Sequence, residues 1–208
     1  MILCDIGNST VGMYHDGKIW TLSHNEFKNY SNKENIFYIS VNDAMSNYLQ
    51  DKKNFKNLEP FFIFDTIYQG IGIDRIAACS TVKDGIVIDA GSAITVDIMS
   101  NGMHLGGYIL PGLSAYQKSY EMISARLAVR LNPNIILDAL PQKTEDAISY
   151  GICKSIFLML QDTCKEKTIY FTGGDGKFFS KFFKNAIYDR TLIFRGMLAV
   201  IQKEKLKE

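Results

Sequence analysis

The stretch Leu3-Cys4-Asp5-Ile6-Gly7-Asn8-Ser9-Thr10 has a near copy 84 positions further on, Ile88-Asp89-Ala90-Gly91-Ser92-Ala93-Ile94-Thr95. Each Asp-x-Gly-(Asn/Ser) turn follows a short apolar run, Met1 to Cys4 or Ile86 to Ile88, that reads as a buried strand. Each leads into a second strand, roughly 10–14 or 95–99, that reaches Asp16-Gly17 or Asn101-Gly102, dipeptides suited to tight hairpins. A single Asp-x-Gly is most simply a turn, but two copies with matching hairpins argue for two related halves. The chemistry of the turn suits a nucleotide phosphate. An Asp at a strand end can hold Mg²⁺ directly or through water. Gly lets backbone N–H groups come close to phosphate oxygens, and Asn8 or Ser92 adds a side-chain donor.

Strand and helix alternate along the rest of the chain, which predicts an α/β fold of two domains, 1–82 and 83–208, with the last helix packing back on the first. In the first half, 36–41 reads as a strand, 42–49 as a helix capped by Asn42, 51–59 as a loop and 61–64 as a further strand. A short helix is expected to follow through 76–80. In the second half, strands at 85–89, 93–100 and 103–109 precede a helix over 113–129. Another helix starts at Thr144, where Thr144-Glu145-Asp146 reads as a cap and an acidic first turn, and its apolar face runs through Ile148, Ile152, Ile156 and Leu160. Asn132-Pro133 and Leu140-Pro141 mark a long intervening loop, a candidate for binding. The strand 168–172 then runs into Gly173-Gly174-Asp175-Gly176, a third glycine-rich turn. It is either a plain connection or a surface on which adenine or ribose lies against backbone.

With 47% hydrophobic and 22% charged residues in 208, the chain has ample material for a core. Lys and Arg (23) balance Asp and Glu (22), so there is no electrostatic footprint for nucleic acid or an anionic membrane. Lys177, Lys181 and Lys184 interleave with Phe178, Phe179, Phe182 and Phe183 at a spacing that reads as an amphipathic helix with a solvated face. No apolar run approaches the roughly 18 residues of a membrane span, and the chain opens on a strand rather than a basic leader, so a cytoplasmic protein is expected. Cys4, Cys79, Cys153 and Cys164 lack CxxC spacing and read as reduced and structural. No Gly-x4-Gly-Lys-(Ser/Thr) pattern is present, which argues against a P-loop kinase.

Taken in order, Asp5-Ile6-Gly7-Asn8-Ser9, Gly72-Ile73-Asp74-Arg75, Asp89 through Asp97, Gly106-Gly107-Tyr108-Ile109-Leu110-Pro111-Gly112, Thr144 with Gly151, and Gly173-Gly174-Asp175 resemble the motifs of the bacterial type III pantothenate kinases over nearly the whole chain. The resemblance implies a fold of the actin-like, sugar-kinase and Hsp70-like superfamily. There, two ribonuclease-H-like domains with mixed sheets flanked by helices close over ATP. It also implies transfer of the γ-phosphoryl group of ATP to the primary hydroxyl of pantothenate, the first committed step towards coenzyme A.

By the same resemblance, Asp5 places Mg²⁺, with Asp89 its counterpart in the second half, and Gly7, Asn8, Gly91, Ser92, Thr95, Gly173 and Gly174 contact the nucleotide. Asp74 accepts or orients the attacking hydroxyl. A loose transition state asks for placement and charge neutralisation more than for a strong base, so an ordinary carboxylate suffices. Tyr68, Gly70, Gly72, Arg75 and Thr144 contact pantothenate, with Arg75 on its carboxylate or, alternatively, in a salt bridge. Thr144 reaches across a homodimer interface or serves only as a helix cap. Asp97 lies near a monovalent cation, K⁺ or NH₄⁺, that the family requires.

The chain departs from the family at three places. Ser92 stands where Thr is usual, the loop ahead of Gly72 is shortened around Tyr68, and only 14 residues separate Asp74 from Asp89. Fold alone would equally admit another acceptor kinase, a phosphatase, or an ATP-binding regulatory protein without kinase activity.

Overall fold

The computed structural model describes residues 1–32 and 34–205. Their contacts divide the chain into two units, one of Met1–Asp84, Asp97–Gly106 and the described residues from Arg190 on, the other of Gly85–Val96 and Gly107–Asp189.

In the first unit the opening hairpin is β1 (Ile2–Ile6) and β2 (Val11–His15), antiparallel with Asp5 opposite Gly12, followed by β3 (Lys18–Leu22) and α1 (His24–Lys28). Asp16 and Gly17 at its turn both have positive φ, 47° and 82°, the conformation that Asp-Gly and Asn-Gly adopt at least cost. Next come β4 (Ile36–Ser40), α2 (Asp43–Leu49), β5 (Phe55–Asn57) and α3 (Ile73–Cys79). The sheet order is β3-β2-β1-β4-β5, with β4 parallel to β1 and β5 parallel to β4. The apolar face of this sheet, Ile2, Cys4, Ile6, Val11, Met13 and Ile36 among it, packs with Phe27 of α1 and Met45 and Leu49 of α2 into one buried cluster. Asn42 caps α2 as expected, its side chain accepting from the Met45 N–H.

The second sheet is built from β6 (Gly85–Ala90), β7 (Ala93–Ser100), β8 (Met103–Pro111), β9 (Ile169–Thr172) and β10 (Ala186–Tyr188), with α4 (Leu113–Ile123), α5 (Thr144–Cys164) and α6 (Gly176–Ser180) between them and α7 (Leu192–Glu204) last. Its order is β10-β9-β6-β7-β8, with β9 parallel to β6 and β10 parallel to β9. Read from the other edge, this repeats the first sheet strand for strand. The duplicated turn is therefore the mark of a duplicated five-stranded sheet. Asn101 and Gly102, with φ 51° and 82°, make the counterpart of the first hairpin turn.

Three expected elements differ. Residues 61–64 form no strand: Pro60 sits in a short 3₁₀ turn, Glu59–Phe61, and Ile63 is 83% exposed. Proline, with φ fixed and no N–H to give a ladder, favours the turn over a strand. The edge strand lies earlier, at β5, where a sequence as polar as Phe-Lys-Asn is tolerated because only one neighbour is paired. The helix expected over 113–129 stops at Ile123. Ser124 is extended (φ −164°, ψ 140°), and its hydroxyl accepts from the Arg126 N–H to start a new short turn. At the head of α5, Lys143 occupies the cap position and Thr144 is the first helical residue, exposed to solvent.

The four cysteines are free and buried. Burial pushes Cys153 up to about 11 and Cys164 up to about 12, so these thiols stay protonated. Helix α3 packs on α7 through Gly196, where a Cβ would collide with the Ala77 carbonyl. Gly196→Ala should therefore destabilise the protein by about 1–3 kcal/mol or more, read from the midpoint shift in urea unfolding.

Candidate active site

The turn after β1 is closed by the Gly7 N–H donating to Thr10 O at 3.0 Å, leaving Asn8 exposed at its tip. The Val41 N–H donates to Ile6 O at 3.0 Å, and the His24 ring donates from Nε2 to Gly7 O at 3.0 Å, so β4 and α1 both brace the loop. Asp5 stands half-buried at the strand end. The equivalent turn after β6 is one residue tighter, with the Gly91 N–H donating to Ala93 O at 2.9 Å and Ser92 exposed. Two glycines distant in sequence shape it. Gly112, the cap of α4, donates its N–H to Ser92 O at 3.1 Å, and a Cβ there would strike Gly91 O. Gly173, with φ +80°, passes so close to β6 that a Cβ would strike Asp89 Oδ1 and Ala90 O. Asp89, Gly91, Ser92 and Gly173 are thus brought together within the second unit by backbone approaches that only glycine allows. The Asp175 N–H donates to Ala90 O at 2.9 Å and fixes the third turn, where Gly174 is exposed. Thr95 lies half-buried on β7.

A dense polar cluster lies in the first unit. Gly72 caps α3, and a Cβ on it would collide with the Asp74 carboxylate, which folds back to accept the Arg75 N–H at 2.7 Å. Burial pushes the Asp74 carboxyl above the usual carboxylate range, partly offset by this hydrogen bond and the Arg75 charge. Beside it, Arg75 is only 5% exposed. Its Nε–H donates to Asp97 Oδ2 at 3.0 Å and Oδ1 at 3.2 Å, and its Nη2–H to Oδ1 at 2.6 Å. Burial alone would lower the Arg75 pKa, but the hydrogen bonds and charge of Asp97 outweigh it and the net shift is upward. The face of Tyr68 covers the guanidinium at 4.8 Å.

Of the expected site residues in this unit, Tyr68, Gly72, Asp74, Arg75 and Asp97 form one constellation, and Gly70 precedes it at φ +72°. Arg75, expected on a substrate carboxylate or in a salt bridge, takes the second role. Asp97, expected near a monovalent cation, is 1% exposed and accepts from both Arg75 and His104 Nε2, the latter at 2.8 Å. Both oxygens of Asp97 are thus engaged by N–H donors of Arg75 and His104. His104 and its partner Thr66 were not evident in the sequence, where the only signal was a lone histidine between the exposed Met103 and Leu105.

A family model described as type III pantothenate kinase matches residues 56–166. A type III pantothenate kinase from Campylobacter jejuni is 55% identical over 203 residues, covering 98% of this chain and 97% of the relative. One from Wolinella succinogenes is 45% identical over 206 residues, covering 99% and 98%. A crystal structure from Campylobacter jejuni, named as a Baf family transcriptional activator, superposes with a TM-score of 0.91 at 53% identity, covering 99% of this chain and all of that one. A 2-dehydro-3-deoxygalactonokinase structure from Sinorhizobium meliloti has a TM-score of 0.57 at 9% identity, covering 97% and 96%, a likeness of fold alone. The sheets accordingly belong to the actin-like ATPase and sugar-kinase architecture.

Removing one partner of a buried pair leaves the other charge uncompensated. Asp97→Ala should lower the unfolding free energy by about 3–5 kcal/mol, measured by urea denaturation.

Proposed function

The chain belongs to the type III pantothenate kinase family, and from that premise we propose a role for each residue of the site. The enzyme phosphorylates pantothenate at the expense of ATP, at the entry to coenzyme A biosynthesis. The observation that carries the residue-level reading is Asp74, held at the start of α3 by its own hydrogen bond to the Arg75 N–H and by the contact with Gly72.

Asp74 accepts the hydrogen bond of the pantothenate hydroxyl and aims its oxygen at the γ-phosphorus. The fixed carboxylate gains its effect through placement, as phosphoryl transfer with a loose transition state requires. Tyr68, Gly70 and Gly72 line the acceptor side, and Arg75 acts through the Tyr68 ring that covers it. Gly7, Asn8, Gly91, Ser92, Thr95, Gly173 and Gly174 contact the nucleotide with backbone N–H groups, hydroxyls and the Asn amide.

Among the described residues no group of three or more His, Cys, Asp or Glu gathers into a metal cage. Mg²⁺ at a phosphoryl-transfer site is held by one or two carboxylates together with phosphates and water. Asp5 would place it, with Asp89 the matching acid of the second unit, and when bound it would neutralise charge on the phosphoryl oxygens. A monovalent cation, K⁺ or NH₄⁺, is part of the same proposal. We assign the ancestral repeat to 1–82 and 83–208, with α7 returning to the first.

The working form is proposed to be a homodimer, with Thr144 of one protomer serving the pantothenate site of the other. Supporting this, α4 contributes no buried residue of its own, and Met122, Ile123, Ile136 and Leu140 are 67–88% exposed. No helix among the described residues is long and apolar enough to cross a membrane, and the proposed setting is the cytoplasm.

ADP formation measured against a panel of acceptors tests the reading. Pantothenate should be required, and acceptor-independent release of inorganic phosphate would instead mark a phosphatase. Asp74→Asn should abolish turnover with ATP affinity kept within about twofold; an unchanged kcat removes Asp74 from the mechanism.

The pH dependence follows from the raised Asp74 pKa. Only the ionised carboxylate accepts the hydroxyl, so kcat/KM for pantothenate should fall with decreasing pH at a midpoint above that of an ordinary Asp. For stability, a folded pKa raised above the unfolded one favours folding below the unfolded value, and that gain is lost as pH rises through the folded value. The ionised Asp74 therefore costs stability at neutral pH, and Asp74→Asn should melt at or above the wild-type temperature.

A further inference from the structure

We propose that His104, with Thr66, is a positioning residue for the acceptor site. The pair fastens the irregular 62–72 segment so that Tyr68 lies over Arg75 beside Asp74. The inference rests on the assignment of Tyr68 and Asp74 to the pantothenate side.

The hydrogen bonds form a continuous chain that starts in buried space. Asp97 as a carboxylate can only accept, so His104 Nε2, 2.8 Å away, carries the hydrogen. With the ring neutral, Nδ1 is an acceptor for the Thr66 hydroxyl at 2.7 Å, a tautomer assigned from the hydrogen-bond network. Thr66 Oγ1 keeps a lone pair free for the Tyr68 N–H, which donates at 3.0 Å. Tyr68 is thereby tied to Asp97 through Thr66 and His104, and Asp97 in turn holds Arg75. His104 itself is fully buried.

The segment has no regular strand to hold it, and Ile63 and Ile67, at 83% and 86% exposed, give it little apolar anchorage. Position 104 supplies the anchor instead. The His104 N–H donates to Asp65 O at 3.0 Å, a single parallel bridge pairs Thr66 with residue 104, and the rings of Phe64 and Tyr68 lie 5.6 and 5.9 Å from the imidazole. Backbone, hydroxyl and ring contacts thus converge on one side chain. Tyr68 meets two fixed groups at once, the edge of His104 and the face of Arg75. The contacts of this chain converge on Tyr68, Asp74 and Arg75, so loosening it should be felt by the acceptor more than by ATP.

Thr66→Val keeps the shape and removes the hydroxyl, leaving His104 Nδ1 and the Tyr68 N–H without this partner. Its KM for pantothenate should rise about tenfold while kcat and KM for ATP stay within about twofold. Thr66→Ser should restore the wild-type value. His104→Gln, which retains a donor for Asp97 but loses the ring acceptor, should reproduce the Thr66→Val pattern. A folded Thr66→Val or His104→Gln enzyme with unchanged KM for pantothenate overturns the proposal, as does a loss shared equally by both substrates. If Thr66→Val fails to fold, the His104→Gln and Thr66→Ser enzymes decide the matter alone. Wild-type enzyme without pantothenate-dependent ADP formation would instead overturn the underlying functional reading.

Discussion

A guanidinium taken out of water costs several kcal/mol unless a carboxylate meets it in good geometry, and even then the pair adds little net stability. Arg75 and Asp97 meet that condition, 5% and 1% exposed and joined through Nε and Nη2. What the pair supplies is position. Arg75 is the neighbour of Asp74 on α3, so anchoring the guanidinium anchors the turn from which the carboxylate projects. The same oxygens receive His104, which brings in Thr66 and Tyr68. A site that must place a hydroxyl against a phosphoryl group gains from rigidity of this kind.

The turns proposed to take the nucleotide are organised differently, by backbone rather than by charge. The two sheets repeat one strand order, and each offers a turn after its central strand. In the second sheet Gly112 and Gly173 approach that turn more closely than any side chain would permit. Such a turn can present N–H groups to phosphate with little rearrangement, because neighbouring segments already hold it. The proposed acceptor and nucleotide sites are thus separate in kind, one built on side chains of α3 and the 62–72 segment, the other on glycine contacts.

Much of this was legible in the sequence because it is written in local terms. The Asp-x-Gly turns, the Asp-Gly and Asn-Gly hairpins and the Asn42 cap each involve residues a few positions apart, where turn chemistry and period are informative. The family resemblance supplied the acceptor residues and the activity, which local terms do not carry. What escaped were long-range pairings. Asp97 follows the second turn closely and reads as a residue near a monovalent cation, yet its partners are Arg75, 22 positions before it, and His104. Thr66 lies 38 positions from His104, and nothing near either residue marks the other. The 61–64 run misled for a related reason. Its composition suits a strand, but Pro60 and the lack of a neighbouring ladder turn it into irregular chain.

The central claim is that this constellation directs the γ-phosphoryl group of ATP onto the primary hydroxyl of pantothenate and not onto its carboxylate or secondary hydroxyl. Phosphorus NMR of the product tests that directly. The account predicts a phosphomonoester resonance split into a triplet by the two protons of the adjoining methylene and stable to hydroxylamine. A doublet from the secondary carbon, a hydroxylamine-labile acyl phosphate, or inorganic phosphate alone would contradict it.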